Sequence, residues 1–593
     1  MCGLAGEVAF HGARADVGAV ARMSGVMGDR GPDGDGIWSG GWVAFGHRRL
    51  TVIDLSEAGQ QPMSDDELGL TVVFNGCIYN HVELRRELGD RYSFASTSDT
   101  EVLLKAYDRW GEDFVDHLVG MFAVVIVDSR RNRVVMARDR LGIKPLYLAE
   151  LPGRLRFAST LPALLAAGGV DTELDEVGLH HYLTWHSIVP APRTILRGVQ
   201  KLPAATVRVV EQDGSHRDRV YWRPDYVRRA EHRNWSREDW QDAIWSSLRT
   251  SVERRLVADV PVGVLLSGGL DSSLMVALLA ETGQSRLQTF SIGFDGAGGE
   301  DGDEFAYSDL VAEQFGTDHH RIRVDVEEFL PGVGRAVSAM PEPMSSHDVT
   351  AFYLLSEEVS RHVKVVQSGQ GADEVFAGYA YHQPASTVPR SAAVDVFVES
   401  FFDRRHADLR QVLEPDRAPS MDVSLEVVRG QMAEAGAETA LDAVLRLDTH
   451  LLMVDDPVKR LDSMSMAWGL EARVPFLDQD VVALAAACPP ELKVAQGGKG
   501  ILKDIGRQLL PSALIDRPKG YFPVPALRHL DEPFLTVVRD TLYAPEAKER
   551  ELLRPEYVNA LLAHPNDERT RTNANSLWVL AVLEMWLQQH GVG

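Results

Sequence analysis

The stretch VGVLLSGGLDSSLMVALL, which starts at Val262, constrains the fold more than any other part of the sequence. An apolar run of strand length is followed there by a glycine turn and by an apolar run of helical length. QTFSIGF and VKVVQSG show the same order of a short apolar run and small residues. Strands that are apolar throughout are typical of parallel sheets with both faces covered. The middle of the chain is therefore predicted to be an α/β domain with a parallel sheet.

The rest of the chain predicts further structure on both sides of this sheet. Because 593 residues exceed what one hydrophobic core can hold, two or three domains are expected. From residue 1 to about 210, apolar runs such as LTVVFN and FAVVIV alternate with Gly and Asp turns, which favours stacked β-sheets. Residues 217–236 are rich in Arg, His and Trp without periodicity, which predicts a linker. Beyond Val394, Leu, Val and Trp at helical spacing predict a mostly helical end.

Composition argues against several classes of function. The net charge of -25 disfavours nucleic acid and anionic membranes as main partners. Three cysteines cannot make a disulfide framework in so long a chain, which favours a reducing, cytoplasmic location. Apolar runs such as FAVVIVD and VVALAAAC are shorter than the roughly 20 residues of a membrane-spanning helix. The start, MCGLAGEVAF, lacks the basic region of a signal peptide, so the N-terminus is expected to be part of the mature structure.

Cys2 is a candidate nucleophile. Removal of the initiator Met before Cys2 and Gly3 would place a free α-amine beside the Cys2 thiol. An α-amine titrates at about 7.7 to 8.0, so it can draw the thiol proton and create the thiolate. A second-position Cys alone is weak support, since a small residue at a ragged terminus is the commoner explanation.

Four motifs follow Cys2 in order. They are RGPDGDG from Arg30, GHRRL from Gly46, FNGCIYN from Phe74 and TSDTEV from Thr97. With Cys2 they resemble the class II glutamine amidotransferase domain, an αββα-layered N-terminal-nucleophile fold. The resemblance implies that Cys2 attacks the glutamine side-chain amide while Asn75 and Gly76 stabilise the oxyanion. It also implies that Arg49, Asn75 and Asp99 bind glutamine, with Arg49 on the carboxylate and Asp99 on the α-ammonium.

Single members of this set have structural alternatives. Asp99 could be the N-cap of the following helix, and Arg49 could make a surface ion pair. The order and spacing of all five matches argue against coincidence. One departure is NGCIYN, where Cys77 stands in place of the Glu that asparagine synthetases usually carry, so Asp99 would hold the ammonium with less help. A small buried hydrophobe is the alternative interpretation of Cys77.

SGGLDSS, from Ser267 to Ser273, is the second candidate site. Glycines let backbone amides close around phosphate, serines add hydroxyl donors, and the N-terminus of a helix favours negative charge. The Walker loop and its lysine are absent. The segment resembles the ATP pyrophosphatase loop, which cleaves ATP between the α and β phosphates. The resemblance, with VVQSGQGADEVFAGY further on, implies the following ATP-binding residues: Leu266, Ser267, Gly268, Gly269, Asp271, Ser272, Ser273, Ile292, Ser368 and Gly369.

Carboxylates accompany both loops. Asp271 and Asp373 correspond to family positions that hold Mg²⁺, which prefers hard carboxylate oxygens. The alternative for Asp373 and Glu374 is stabilisation of a helix N-terminus. RPKGYFPVP, which starts at Arg517, resembles a family segment whose lysine, here Lys519, stabilises the acyl transfer step.

ARDRLGIKPLY, PAPRTI and SMSMAWGLEARVPFLD match as well, so the chain resembles the asparagine synthetases over almost its whole length. The resemblance implies the α/β class, with a glutaminase domain over residues 1–216 and a linker over 217–236. An ATP pyrophosphatase domain with a parallel sheet and a mostly helical C-terminal part would follow over 237–593. Glutamine, ATP, Mg²⁺ and a small carboxylate acceptor are the implied ligands, with ammonia passing through an interdomain tunnel. A homodimer is left open.

The acceptor depends on Gln370, a candidate catalytic position. Asparagine synthetases carry there an acid that helps to form the acyl-adenylate, and a neutral amide cannot serve as a base. NGCIYN, GFDGAGGEDGDEFAYSDL and LLMVDDPVKRLDSMSMAWGLEARVPF look closest to the branch that amidates N-acetylglutaminylglutamine, a bacterial osmoprotectant precursor. Aspartate is the alternative acceptor. An inactive regulator with the same fold is a remote alternative, disfavoured because Cys2 and SGGLDSS are both kept.

Overall fold

Three β-sheets organise the molecule. A computed structural model describes residues 2–283, 286–296, 299, 301–517 and 524–592. Two sheets of six strands each are formed by the N-terminal part of the chain, and a third sheet of five strands follows. No helix within the described residues is long and apolar enough to cross a membrane.

The first two sheets are antiparallel. Their order is β10-β8-β9-β1-β3-β2 in one and β12-β11-β7-β6-β5-β4 in the other. The strands are β1 (Gly3–Ala9), β2 (Gly34–Ser39), β3 (Val43–Arg49), β4 (Met63–Asp65), β5 (Leu70–Ile78), β6 (Gly120–Asp128), β7 (Arg133–Arg138), β8 (Tyr147–Leu151), β9 (Arg154–Ala158), β10 (Gln200–Lys201), β11 (Thr206–Glu211) and β12 (His216–Val220). The accompanying helices are α1 (Val17–Val26), α2 (His81–Leu88), α3 (Asp99–Trp110), α4 (Leu161–Ala167) and α5 (Glu176–Thr184).

Side chains alternate between the two faces of these sheets. In β1, Leu4 and Val8 pack in the apolar layer between the sheets, whereas Ala5 belongs to the core formed with α1 and α4. In β5, Val73 faces the same inner layer, and Phe74 packs with α2 and α3. A period of two is what a strand with two buried faces requires. Helices therefore cover the outer face of each sheet, which confirms the predicted αββα layering.

The start of the predicted linker differs in the structure. Residues 217–220 form the end of β12, which pairs with β11. This edge strand has no apolar alternation, because charged cross-strand pairs hold it. Arg208 donates to both carboxylate oxygens of Asp218, at 2.7 and 2.8 Å. The next helix, α6 (Arg237–Arg254), begins after Ser236, its N-cap. The division of the chain into two domains here stays a prediction.

The third sheet is parallel throughout, as predicted. Its strands are β13 (Val262–Leu265), β14 (Gln288–Phe294), β15 (Asp318–Val324), β16 (Val365–Gln367) and β17 (Glu471–Arg473). Their order is β15-β14-β13-β16-β17, so the direction of strand addition reverses between β13 and β16. In open α/β sheets, ligands bind outside the carboxyl ends of the strands at such a reversal. The fold therefore places a crevice beside the loops after β13 and β16.

Helices make up most of the remaining chain, which confirms the predicted helical C-terminal part. They are α7 (Leu270–Glu281), α8 (Phe305–Phe315), α9 (Val326–Ala339), α10 (Asp348–Ser360), α11 (Ala372–Val375), α12 (Ala393–Phe401), α13 (His406–Val412), α14 (Val423–Ala433), α15 (Ala440–Leu447), α16 (Lys459–Met466), α17 (Gln479–Ala487), α18 (Pro490–Val494), α19 (Gly500–Gly506), α20 (Ser512–Ile515), α21 (Pro525–Arg528), α22 (Phe534–Leu542), α23 (Pro545–Glu549), α24 (Pro555–Ala563) and α25 (Ser576–Gln589). Two π-helical turns, Asp448–Leu452 and Val454–Val458, join α15 to α16. Such turns are frequent at functional sites.

Buried charges join the N-terminal sheets to the rest of the chain. Asp462 of α16 accepts from Arg30 at 3.0 Å and from Lys144 at 2.9 Å. Lys201 contacts Asp455 at 2.6 Å across the same interface. Burial alone would raise the pKa of Asp462, but the two cations hold it below its usual range. Breaking a buried ion pair is costly, so these contacts fix how the two parts meet.

Candidate active site

Cys2 lies at the start of β1 and lines a small cavity, here called the Cys2 cavity. Its lining includes Cys2, Arg49, Gly76, Cys77, Asp99 and Glu471. Only 7% of the Cys2 surface is exposed, and its backbone N–H donates to Asn75 Oδ1 at 3.0 Å. Burial raises the pKa of the Cys2 thiol. Nucleophilic attack by this thiol therefore needs a nearby base to remove its proton.

Asn75 and Gly76 end β5 beside Cys2. Asn75 is fully buried, and among the described residues its Nδ2 has no hydrogen-bond partner. A buried amide donor without an acceptor is rare in proteins, and beside a nucleophile it suits an oxyanion. A Cβ at Gly76 would lie 2.1 Å from the carbonyl oxygen of Met121, so only glycine fits there. The two residues predicted to stabilise an oxyanion thus adjoin the predicted nucleophile.

Arg49 and Asp99 line the same cavity from β3 and α3. Arg49 is 4% exposed and donates to the carbonyl oxygen of Ser56 at 2.7 Å, so it is no surface ion pair. Asp99 accepts from the Ile78 backbone N–H at 3.0 Å. Ser98, rather than Asp99, is the N-cap of α3. A guanidinium and a carboxylate on one cavity suit a zwitterion such as an α-amino acid.

Two residues of β17 reach this cavity from the parallel sheet. Glu471 lines it, and Arg473 pairs with Glu471 at 2.6 Å. Arg473 Nη2 also donates to the Sγ of Cys77 at 3.5 Å, over a sequence separation of 396 residues. Burial raises the pKa of the Cys77 thiol well above its usual range, which agrees with a small buried side chain. Sequence analysis missed Glu471 and Arg473, because GLEARVPF carries no local signal for so distant a contact.

A second cavity, of about 770 Å³, opens at the carboxyl ends of β13 and β16 and is here called the Ser267 cavity. Eight of the predicted ATP-binding residues line it: Leu266, Ser267, Gly269, Asp271, Ser272, Ile292, Ser368 and Gly369. Gly268 and Ser273 are not part of its lining. Gly268 has a φ of 72°, and a Cβ there would lie 2.6 Å from Ser308 N. The Ser273 hydroxyl donates to the Gly269 carbonyl at 2.7 Å. Both residues therefore support the conformation of the loop without lining the cavity.

Serine side chains make hydrogen bonds within the loop after β13. Ser267 Oγ accepts from the Gly269 N–H at 3.3 Å and lies 3.1 Å from Ser272 Oγ. The helix α7 starts at the next residue, Leu270. The first N–H groups of a helix have no intrahelical acceptors, and the helix dipole favours an anion there. The loop can therefore hold phosphate oxygens without further rearrangement.

Asp271 and Asp373 lie close together in the lining of the Ser267 cavity. Lys499 joins them, at 2.5 Å from Asp271 and 2.8 Å from Asp373. These carboxylates raise the pKa of Lys499, outweighing the opposite effect of its burial. Lys499 has a left-handed φ of 54°, which is uncommon for a residue with a side chain. Sequence analysis missed it, although its glycine-rich context, QGGKG, was a local signal.

The two carboxylates also fit the implied Mg²⁺. No group of three or more His, Cys, Asp or Glu that could hold a metal occurs in the part of the chain that the structure describes. Mg²⁺ is usually held by one or two carboxylates together with phosphate and water oxygens. Asp271 and Asp373, beside a phosphate-binding loop, provide such a partial set.

The far wall of the Ser267 cavity contains Gln370 and the residues Ser346, His347, Asp348 and Phe352. The Gln370 backbone N–H donates weakly to Ser368 Oγ, at 3.4 Å. Four residues of the segment 345–353 thus line the cavity. Lys519 lies outside the described residues. Its neighbour Arg517 lines the cavity and pairs with Glu304 at 2.7 Å.

Comparisons with known proteins identify the family of the chain. The family model described as Asparagine synthase matches residues 243–588, and that of the Glutamine amidotransferase domain matches residues 1–222. Asparagine synthetase (glutamine-hydrolyzing) 1 of Bacillus subtilis is 30% identical, over 96% of this chain and 93% of that protein. Asparagine synthetase B of Escherichia coli is 30% identical, over 84% of this chain and 78% of that protein. The chain belongs to the asparagine synthase family, the carbon–nitrogen ligases that take glutamine as amido donor.

Proposed function

We propose that the chain hydrolyses glutamine at Cys2, activates an acceptor carboxylate with ATP, and joins the released ammonia to it as an amide. The carrying observation is that the chain has two chemically different cavities, one with a thiol and one with a phosphate-binding loop, and that Arg473 of β17 contacts a lining residue of each. A single cavity would support either an amidohydrolase or an adenylating enzyme. Two cavities within one fold support coupling of both reactions.

In the Cys2 cavity, the thiol attacks the side-chain amide of glutamine. The α-amine freed by removal of Met1 takes the thiol proton, and Asn75 Nδ2 with the Gly76 N–H stabilises the oxyanion. Arg49 holds the substrate carboxylate and Asp99 its ammonium. The tetrahedral intermediate then breaks its C–N bond, and the leaving ammonia takes up the proton that the α-amine held. Water hydrolyses the remaining thioester to glutamate and the free Cys2 thiol. The ammonia moves to the Ser267 cavity through the interface between the two parts, shielded from protonation by bulk water.

In the Ser267 cavity, ATP places its phosphates on the loop after β13. The residues proposed to hold Mg²⁺ are Asp271 and Asp373, and bound Mg²⁺ neutralises charge on the phosphates. Lys499 holds the two carboxylates in position before the nucleotide arrives. Lys519, carried over from the family segment, would stabilise charge during acyl transfer. The products are AMP, pyrophosphate and the amide.

We further propose N-acetylglutaminylglutamine as the acceptor, which would make the product an osmoprotectant precursor. Gln370 brings an uncharged side chain to the cavity, and about 770 Å³ is ample for a nucleotide beside a dipeptide. The wall at 345–353 adds His347 and Phe352 to the polar groups near the loops. An elongated, mostly neutral acceptor suits this mixed lining better than a small amino acid with two carboxylates.

Aspartate is the second candidate acceptor, favoured by the relatives named asparagine synthetase. Each acceptor should be supplied in turn with ATP, Mg²⁺ and glutamine, and the products analysed by mass spectrometry. We expect the amidated dipeptide to form faster than asparagine. Rapid formation of asparagine without any amidated dipeptide would return the chain to the aspartate-specific members and make Gln370 a tolerated variation.

We also propose a cytoplasmic location, because the three cysteines are all free and buried. Assembly into a homodimer is a further proposal, testable by light scattering of the purified protein.

A further inference from the structure

We propose that Glu471 is a specificity-determining residue of the Cys2 cavity: its carboxylate, with that of Asp99, holds the α-ammonium of glutamine. Glu471 belongs to β17 of the parallel sheet, whereas Asp99 begins α3 of the glutaminase part. The inference rests on the proposed function, in which glutamine occupies this cavity.

The charges that line the Cys2 cavity set what it can hold. Arg49 supplies a cation, and Asp99 and Glu471 supply two carboxylates that are 5% and 1% exposed. An α-amino acid presents one carboxylate and one ammonium. With Arg49 on the substrate carboxylate, the two acidic side chains are the groups of opposite charge that remain for the ammonium.

The two carboxylates also affect each other. Burial raises the pKa of Asp99, and the charge of Glu471 adds to this rise. Burial would raise the pKa of Glu471 too, but Arg473, the positively charged amino terminus and Lys144 together hold it at about 2. Glu471 is therefore an anion at every physiological pH. An ammonium placed between the two groups would relieve their repulsion, and it would favour the ionised form of Asp99.

Cys77 explains why the second anion comes from a distant strand. Its thiol occupies β5 next to Asn75 and Gly76 and contacts Arg473 rather than offering a charge. The acid is instead at position 471, where it pairs with Nε of the same guanidinium. Glutamine recognition thus includes a group from the ATP-binding part, so the cavity is complete only when both parts are docked.

The test compares two substrates in the full-length enzyme. Glutamine is one, and 4-carbamoylbutanoate, which has the same amide and carboxylate but no α-amine, is the other. In Glu471→Gln, we expect kcat/KM for glutamine to fall about 10- to 100-fold, mainly through KM, with turnover of the analogue unchanged. Glu491→Gln, at an exposed glutamate of α18, is the matched control and should alter neither.

Two further variants guard against a folding defect, since Glu471 also pairs with buried Arg473. Glu471→Asp keeps the charge but shortens the side chain, and it should lose part of the preference for glutamine over the analogue. Glu471→Gln combined with Cys77→Glu returns a carboxylate to the cavity from the other strand, and it should recover at least part of that preference. Melting temperature and ammonia-driven synthesis report whether each variant is folded.

The outcomes separate the two proposals. Failure of the wild type to hydrolyse glutamine would reject the proposed function itself. In a second case, the wild type is active while Glu471→Gln loses kcat/KM equally for both substrates. Glu471 would then act on the Cys2 amine or on packing, and this inference alone would be overturned. Unchanged discrimination in Glu471→Gln, or no recovery in a folded double variant, would overturn it as well.

Discussion

The backbone N–H of Ser368 donates to the carbonyl oxygen of Arg473 at 2.8 Å. Ser368 lines the Ser267 cavity, while the guanidinium of the same Arg473 contacts Cys77 in the lining of the Cys2 cavity. Arg473 is completely buried. One residue of the short strand β17 therefore contacts a lining residue of each cavity.

Removing this arginine should destabilise the protein strongly. Arg473→Met leaves the Glu471 carboxylate buried beside an apolar side chain, at an expected cost of about 3 to 5 kcal/mol in the free energy of unfolding. Arg473→Met combined with Glu471→Met should restore much of that loss, because no uncompensated charge remains. Urea denaturation measures both. Arg405→Met, which breaks an exposed pair with Glu399, should cost at most about 1 kcal/mol.

Loss of the Cys2 thiol should affect synthesis with glutamine but not synthesis with ammonia. Cys2→Ser is expected to lower glutamine-driven amide synthesis about 1,000-fold or more, since the nucleophile is removed. Ammonia-driven synthesis should persist, because the Ser267 cavity is untouched. Cys488→Ser, the same change at a buried cysteine of the other part, serves as the control. Equal loss with both donors would contradict the separation of the two reactions.

Changes to the carboxylates of the Ser267 cavity should affect ATP cleavage and leave glutamine hydrolysis intact. Asp271→Asn or Asp373→Asn is expected to reduce release of AMP and pyrophosphate about 100- to 1,000-fold with either donor, because a ligand for Mg²⁺ loses its charge. Glutaminase turnover should survive. Asp540→Asn on α22 is an exposed control. Appearance of ADP and phosphate as products would show that the loop was assigned to the wrong chemistry.

Lys499 should substitute in part for a metal ion. In Lys499→Met, the cation that contacts both Asp271 and Asp373 is lost, so the melting temperature should fall. Added Mg²⁺ should raise it more in this variant than in the wild type, since metal binding to the folded state then relieves the repulsion. Thermal scans with and without Mg²⁺ measure this. Lys548→Met, at an exposed position, should respond like the wild type, and an equal response of Lys499→Met would refute the idea.

Glu374 should make stability depend on pH. Burial, reinforced by the charge of Asp373, raises its pKa to about 7, against roughly 4.3 in an unfolded chain. Between these values the folded state binds more protons, so this contribution to stability is greatest at low pH and is lost as pH rises through 7.

Glu374→Gln removes the titration and keeps a partner for the Tyr379 hydroxyl, which lies 2.6 Å from Glu374. Relative to the wild type, the variant should gain roughly 2 kcal/mol in unfolding free energy between pH 5 and pH 8. Urea denaturation at both pH values gives this difference. The exposed control Glu556→Gln should show the same dependence of unfolding free energy on pH as the wild type. The same dependence in Glu374→Gln would contradict the raised pKa.

Sequence analysis predicted the features that are encoded locally. The apolar strand before Ser267 and the motif around Asn75 lie within one strand and one turn, so a short window contains their full signal. The apolar runs LTVVFN and FAVVIV between Gly and Asp turns likewise indicated stacked sheets. The charged edge strand β12 escaped this approach, because its stabilising pairs replace the apolar alternation on which strand recognition depends.

The site residues that sequence analysis missed were missed for a different reason. Glu471 and Lys499 act on groups that are hundreds of residues away, and only the tertiary fold brings them there. Gly268 and Ser273 show the converse: their motif was recognised, but the motif could not show which of its members face the cavity and which support the loop from behind.

The interface charges have a consequence for a chain cut within the region 221–236. The first fragment would carry Arg30, Lys144 and Lys201 on its uncovered face, and the second would carry Asp455 and Asp462. These two faces carry complementary charge although both fragments are net negative, so the attraction acts between the faces at short range, and salt screens it. The complex of the two fragments should therefore dissociate more readily as ionic strength rises.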